Sequence, residues 1–295
     1  MKKALLKCFS FMTAFMFVFL IYATPAAAAR ISSVYALDTV RNKNVSYYEA
    51  KTIIIGTKKL SEEALLINGE IYAPVRKFVN TVYPGATVTY NSQSRTITVK
   101  SDALTLTATD GTYVVYANDR PLFAKTPIVI LSNGRMYIPL DTLTKALGVR
   151  TSESGSTVTV SGKVSPLLSA GKFYREDEIY WLSRIISAES RGEPLIGQIA
   201  VGNVVLNRTR SKDFPNTIWG VIFDRKYGVQ FEPIINGSIH QAPAYTSVLA
   251  AKICLEGFSV SEDVLYFLEP RISTSGWIQK TRPYAFTIGN HDFYR

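Results

Sequence analysis

Between residues 176 and 210 the apolar positions keep a helical period. Ile179, Leu182, Ile185 and Ile186 fall on one stripe, which predicts an amphipathic helix over 176–190. Glu176, Asp177 and Glu178 open that segment and suit the positive end of a helix dipole. Gly192 and Pro194 then end or redirect it. Leu195 to Arg208 is apolar nearly all round (Ile196, Ile199, Val201, Val204, Val205, Leu206), the pattern of a buried central helix. A further helix is expected over roughly Ala244 to Glu256, opened by Pro243. Asp263 to Leu268 and Tyr284 to Ile288 read as strands.

Upstream the period changes from helical to alternating. Thr87 to Tyr90 and Thr96 to Val99 flank Asn91-Ser92-Gln93-Ser94, a hairpin pattern, and Thr157 to Val160 follows the turn residues Ser154-Gly155-Ser156. An internal repeat runs through this half. Asn68-Gly69-Glu70-Ile71-Tyr72-Ala73-Pro74-Val75 matches Asn133-Gly134-Arg135-Met136-Tyr137-Ile138-Pro139-Leu140. After each proline the apolar positions keep step, Val75, Phe78 and Val82 against Leu140, Leu143 and Leu147. Each unit therefore reads as strand, proline turn, short helix and β-hairpin. Val164 to Gly171, rich in Ser, Pro and Gly, marks a boundary. The expected organisation is a two-unit α+β module over 30–163, a linker over 164–175, and a mainly helical domain with a small sheet over 176–295.

The first 29 residues change the picture of where this chain works. A basic start (Lys2, Lys3), an apolar run from Cys8 to Tyr22 and the small residues Ala26 to Ala29 read as a secretory signal peptide. The run is short for a spanning helix, which needs about twenty apolar residues, so no stable membrane anchor is expected. With Cys8 in the signal, Cys254 is the remaining cysteine and no internal disulfide follows. Its apolar neighbours suit a buried small hydrophobe better than a nucleophile. The net charge is +10, and 30–164 hold 16 Lys and Arg against 10 Asp and Glu, while 165–295 hold 14 against 13. An exported basic module suits anionic wall polymers, not nucleic acid. Only two histidines occur, His240 and His291, with no His-Glu-x-x-His arrangement, which argues against a metallopeptidase.

Glu189 is the candidate for chemistry. Counted on from Ile179, Leu182 and Ile186 it continues the buried stripe to the helix end. A carboxylate there is poorly solvated, and desolvation raises its pKa. That is how a protein keeps a general acid protonated near neutral pH. The alternative is a glutamate that caps the helix or pairs with Arg191.

Several motifs in order then carry a resemblance. They are Ala188-Glu189-Ser190-Arg191-Gly192-Glu193-Pro194, Gly197 to Arg208, Phe214-Pro215-Asn216-Thr217-Ile218, Val229-Gln230-Phe231, Tyr266-Phe267, Arg282-Pro283 and Ile288-Gly289-Asn290-His291-Asp292-Phe293. Together they resemble the SleB/CwlJ-type cell wall hydrolases that degrade spore cortex peptidoglycan. The resemblance implies a lysozyme- or transglycosylase-like domain with Glu189 as catalytic acid. Substrate contacts are expected from Glu193, Gln230, Phe231, Tyr266, Asn290 and His291, although Glu193 is read first as a structural group. The upstream module resembles the copper amine oxidase N-terminal-like domain through Asn118-Asp119-Arg120-Pro121-Leu122, Asn133-Gly134-Arg135 and Tyr137 to Leu140. It contains no histidine and no cysteine, so the ligands copper prefers are missing; wall binding or spacing is its expected job. No metal or other cofactor is expected for catalysis. A lytic transglycosylase needs one carboxylate, whereas a hydrolase adds a second, for which Glu193, Glu232, Glu269 and Asp292 are candidates. A non-catalytic wall-binding or spore protein is the remaining alternative. The expected partner is peptidoglycan and the expected location the cell wall or spore envelope.

Overall fold

The computed structural model describes residues 49–226, 228–273 and 276–295. The expected signal peptide lies outside the described residues. Among those described, no helix is long and apolar enough to cross a membrane.

The upstream module is built as the repeat predicts. Strands β1 (Glu49–Ile55), β2 (Lys58–Lys59), β3 (Ala64–Ile67) and β4 (Glu70–Pro74) lead into helix α1 (Val75–Val82) and the hairpin β5 (Thr87–Asn91) and β6 (Thr96–Lys100). Strands β7 (Thr105–Thr109), β8 (Val114–Ala117) and β9 (Arg120–Phe123) extend that hairpin into a five-stranded meander. The second unit is β10 (Val129–Ile130), β11 (Met136–Pro139), helix α2 (Leu140–Leu147) and the hairpin β12 (Arg150–Ser154) and β13 (Thr157–Ser161). Pro74 and Pro139 each stop a strand and stand just ahead of a helix, because a proline ring fixes φ and lacks an N–H. The equivalent strands of the two units pair with each other: Tyr72 opposes Pro139, Ala73 opposes Ile138 and Pro74 opposes Tyr137. Tyr72 corresponds to Tyr137 in the repeat and Pro74 to Pro139. The reciprocal pairing therefore marks a local twofold between the units. Val75, Phe78, Leu140, Leu143 and Leu147 are all buried in one core, at about 1.5–3 kcal/mol per large side chain removed from water.

The boundary segment is strapped down. Ser165 N–H donates to Leu147 O at 3.0 Å, and Asn118 Nδ2 donates to Leu167 O at 2.7 Å. A Cβ at Gly148 would meet Ser165 O at 1.9 Å, and Gly148 has φ +65°, so this crossing requires glycine. A helical turn, α3 (Ala170–Phe173), then passes the chain to the second domain.

That domain packs α4 (Glu176–Ser190), α5 (Leu195–Arg210) and, after the short helices α6 (Ile218–Ile222) and α7 (Glu232–Asn236), α8 (Tyr245–Leu255). As the all-round apolar pattern predicts, α5 is the central element, buried from Gly197 to Arg208. A Cβ at Gly202 would meet Cys254 Sγ at 2.7 Å and Ile186 Cδ1 at 2.8 Å, so the missing side chain lets α5 sit against both neighbours. The small sheet has order β14 (Tyr266–Leu268), β16 (His291–Tyr294), β15 (Tyr284–Ile288), with helix α9 (Trp277–Thr281) ahead of β15. The central strand β16 is an addition to the two strands read from the sequence.

Candidate active site

The polar residues of α5 do the local positioning. Asn203 Nδ2 donates to Phe258 O at 2.9 Å and its Oδ1 accepts from Val260 N–H at 2.8 Å. Asn207 Nδ2 donates to Ser261 O and Val264 O, and Arg208 Nε donates to Leu265 O at 2.7 Å. These bonds hold the segment that runs into β14 and so fix Tyr266. Near the other end of α5, Gln198 Nε2 donates to Glu193 O at 2.9 Å and its Oε1 accepts from Ser247 Oγ at 2.8 Å. Asn203 and Gln198 use both amide ends, and Asn207 uses its Nδ2 twice while its Oδ1 is buried without a partner among the described residues; these bonds rigidify the scaffold.

Glu189 stands in the last turn of α4, on the stripe whose Leu182, Ile185 and Ile186 are fully buried. It is half-buried itself. Its carboxyl pKa is pushed up to about 7, first by burial and then by the negative charge of Glu232, against the opposing Arg208 guanidinium. Arg208 is buried and surrounded by the rings of Phe214 (4.8 Å from its Cζ), Phe231 (5.2 Å) and Tyr266 (5.4 Å). Tyr266 is half-buried, edge-on to Trp277 at 6.0 Å, and carries Arg282 at 4.6 Å. Trp277 is half exposed. Contacts then pass from Phe231 to Phe267, from Phe267 to His291, and from His291 to Glu193.

The residues expected to touch substrate divide into two groups. Glu193, Phe231 and His291 are buried and packed against protein groups. Glu193 pairs with neither Arg191 nor the α5 N-terminus through its carboxylate. Its Oε2 accepts from Asn290 N–H at 3.0 Å and its Oε1 from Asn290 Nδ2 at 2.8 Å. His291 Nδ1 lies 3.8 Å from Glu193 Oε1 and has no hydrogen-bond partner among the described residues. Burial lowers the His291 pKa, against the nearby carboxylates of Glu193, Glu269 and Asp292. Gln230, Tyr266 and Asn290 retain exposed surface. Gln230 Nε2 donates to Gly228 O at 3.1 Å, and Asn290 Oδ1 accepts from Arg271 Nη2.

Arg208, Arg282 and Trp277 were not singled out as site residues from sequence. Arg208 had a signal, a lone cation at the end of an apolar helix. Trp277 lies in a short polar helix with no pattern to mark it. The remaining carboxylates are mostly engaged: Asp292 accepts from Thr287 Oγ1 at 2.5 Å and Glu269 pairs with Arg271 at 3.5 Å. Glu232, exposed at the start of α7, is the carboxylate whose charge reaches Glu189. Among the described residues no cluster of His, Cys, Asp and Glu could hold a metal ion. Cys254 is buried and its thiol pKa is driven up by burial, which suppresses the thiolate a nucleophile needs.

Two cavities lie away from Glu189, about 170 Å³ at the seam between the domains and about 240 Å³ beside α1 in the upstream module.

Residues 192–294 match the Cell Wall Hydrolase family and residues 53–161 match the Copper amine oxidase N-terminal domain. The chain thus carries a cell wall hydrolase domain behind a copper amine oxidase N-terminal-like module, in an α+β architecture. The first match opens three residues beyond Glu189. Over 120 residues the chain is 38% identical to a spore cortex-lytic enzyme of Bacillus cereus, covering 41% of this chain and 45% of that protein. It is 37% identical over 120 residues to the spore cortex-lytic enzyme of Bacillus subtilis (strain 168), covering 38% of it. The match spans less than half the length of these relatives. Among solved structures, the catalytic domain of the germination-specific lytic transglycosylase SleB from Bacillus anthracis is 37% identical. It covers 43% of this chain and 100% of its own, with a TM-score of 0.39.

Proposed function

We propose that this protein is exported and cleaves the glycan strand of peptidoglycan as a lytic transglycosylase, with spore cortex as its substrate. The observation that carries this reading is the half-buried Glu189, whose pKa of about 7 leaves a large protonated fraction at neutral pH. Its proton goes to the bridging oxygen, and the C–O bond to the muramic anomeric carbon breaks. The resulting carboxylate then takes the proton of the same sugar's C6 hydroxyl, whose oxygen closes a 1,6-anhydro ring on the anomeric carbon. One group serves as acid and then base, and a pKa near the working pH suits both steps. Engagement of Glu193, Asp292 and Glu269 by protein partners supports a single-carboxylate mechanism. The relatives' name, spore cortex-lytic enzyme, supports the substrate. Tyr266 and Trp277 supply aromatic faces, and Gln230 and Asn290 supply amides, for the sugars. Anionic wall polymers are the proposed ligands of the basic upstream module.

Glu232 favours a second reading. A carboxylate whose charge acts on Glu189 is placed to serve as the base of a two-carboxylate hydrolase. Mass spectrometry of digested cortex separates the two. Anhydro ends are expected, and reducing ends overturn the transglycosylase in favour of the hydrolase. Binding to purified peptidoglycan without fragment release, unchanged by Glu189→Gln, would sink both and leave a binding protein.

A further inference from the structure

Arg120 and Arg208 are equally buried, each 5% exposed, yet they are treated differently. Arg120 places Nε and Nη2 on the two oxygens of Glu256. Arg208 Nε donates to one backbone carbonyl, Nη1 is buried with no partner among the described residues, three aromatic rings surround the guanidinium, and the charges of Asp224 and Glu189 act on it without forming an ion-pair contact. Burying a cation with no carboxylate in direct contact costs several kcal/mol. Ring contacts recover roughly 0.5–2 kcal/mol each. The same tyrosine carries a second incomplete guanidinium. Arg282 lies 4.6 Å from the Tyr266 ring and 5.2 Å from the Trp277 ring, and its Nε is buried without a partner among the described residues. Two guanidiniums on one ring, each with an unmet donor, make a polar arrangement that an oxygen ligand completes.

We propose that Arg208, with Tyr266 and Arg282, forms a subsite for an acyl oxygen of the glycan, a carbonyl or carboxylate oxygen carried by a sugar substituent. The proposal deepens the glycan-cleaving reading and rests on it. A planar guanidinium fork matches such an oxygen in direction as well as charge. The charge of Arg208 is felt at Glu189, so an oxygen held there sets the sugar's register against the acid. Two sources offer this chemistry. The 2-acetamido carbonyl occurs on every sugar, and the 3-lactyl carboxylate occurs on muramic residues alone.

The test uses the full chain carrying Glu189→Gln, so that nothing is turned over, with binding followed by tryptophan fluorescence. One probe is chitotetraose, which has acetamido oxygens only. The other is peptide-free peptidoglycan glycan, whose muramic residues have free lactyl carboxylates. Adding Arg208→Gln is expected to weaken binding about 10–100-fold, the worth of a hydrogen bond to a charged group. Weakening with both probes assigns the acetamido oxygen, and weakening with the muramyl glycan alone assigns the lactyl oxygen. Unchanged affinity for both overturns the subsite. If circular dichroism shows that Arg208→Gln has lost its fold, Arg208→Lys and Arg282→Gln decide the matter. Weaker binding supports the proposal, and wild-type binding by both overturns it. Product release from cortex by the wild-type chain reports the catalytic reading separately, since the binding assay never depends on turnover.

Discussion

Arg120 and Glu256 form a buried bidentate ion pair across the seam between the domains, Nε to Oε1 at 2.7 Å and Nη2 to Oε2 at 2.9 Å. The Tyr174 hydroxyl donates to Glu256 Oε1 at 2.6 Å, and Lys145 Nζ donates to the Glu256 carbonyl at 2.5 Å. The Phe173 ring lies 3.3 Å under the Arg120 guanidinium. Glu256 caps the C-terminal end of α8, while the opposite end meets α4 where Ala244 N–H donates to Ser187 Oγ at 3.0 Å. The upstream module is thus docked at the end of the helix pair remote from Glu189, about 16 Å along α8 at 1.5 Å per residue.

Removing Arg120 leaves the buried Glu256 carboxylate with only Lys145 Nζ, at 3.6 Å, as a cation in contact among the described residues. Arg120→Met is expected to destabilise the full chain by about 3–5 kcal/mol, read as a lower urea midpoint. Arg120→Met with Glu256→Leu should recover part of the loss, because neither variant side chain then needs a counter-charge. A double variant no better than Arg120→Met would show that packing, not charge, holds the seam.

Glu189→Gln should lower the rate of glycan cleavage by at least about 10²-fold, the usual worth of general acid–base help. It should also change stability with a definite sign. The folded-state pKa of Glu189 is raised, so the folded state holds its proton more tightly than the unfolded one. The stability this group contributes is full below about pH 4.5 and is lost as pH rises through about 7. The variant and wild type should therefore converge at pH 4. By pH 8.5 the variant should be the more stable, on the order of 2–3 kcal/mol. Denaturation series at the two pH values check this, and a difference independent of pH would refute it.

Gly289 and Gly134 form a matched pair of tests. Both have positive φ, +59° and +73°, but a Cβ at Gly289 would lie 1.7 Å from Glu193 Oε2, whereas a Cβ at Gly134 meets nothing within 4 Å. Gly134→Ala should cost only the left-handed backbone penalty, about 1–2 kcal/mol. Gly289→Ala should cost that and also displace Glu193 from Asn290, losing bonds worth about 1.5–3 kcal/mol each. Thermal melts and cortex digestion should show the second variant both less stable and less active. Equal melting shifts would mean that the Glu193–Asn290 tie contributes little.

The helices and the repeat were legible because each reports burial on a fixed period. Val75 and Phe78 match Leu140 and Leu143, and the structure adds that Tyr72 and Pro139 pair reciprocally across the units. Glu189 was legible for the same reason, as the polar end of an apolar stripe. The partners of the site were not. Glu193 and Asn290 are 97 positions apart, and no local pattern says that one carboxylate will accept from both the backbone N–H and the side-chain amide of one asparagine. Phe231 and His291 belong to residue types that bind sugars when exposed, and only the packing of Phe267 and Phe293 shows them turned inward. Strand β16 escaped because it is four residues long and follows directly on the Gly289 turn.

Glu232 gives the test that separates electrostatic tuning from direct catalysis. Its negative charge is the second cause, after burial, of the raised Glu189 pKa. Removing it by Glu232→Gln lets the Glu189 carboxyl ionise more readily, so its pKa falls from about 7 towards the ordinary carboxylate range. A general acid works in its protonated form, so the alkaline limb of the pH–rate profile should move to lower pH. Activity at pH 7 should drop several-fold, while activity at pH 5.5 should stay near that of the wild type. The products should keep their anhydro ends, since the charge is altered but the acid is retained. A loss of 10²-fold or more at every pH would instead give Glu232 the role of a second catalytic carboxylate, and reducing ends would then be expected in the wild-type digest.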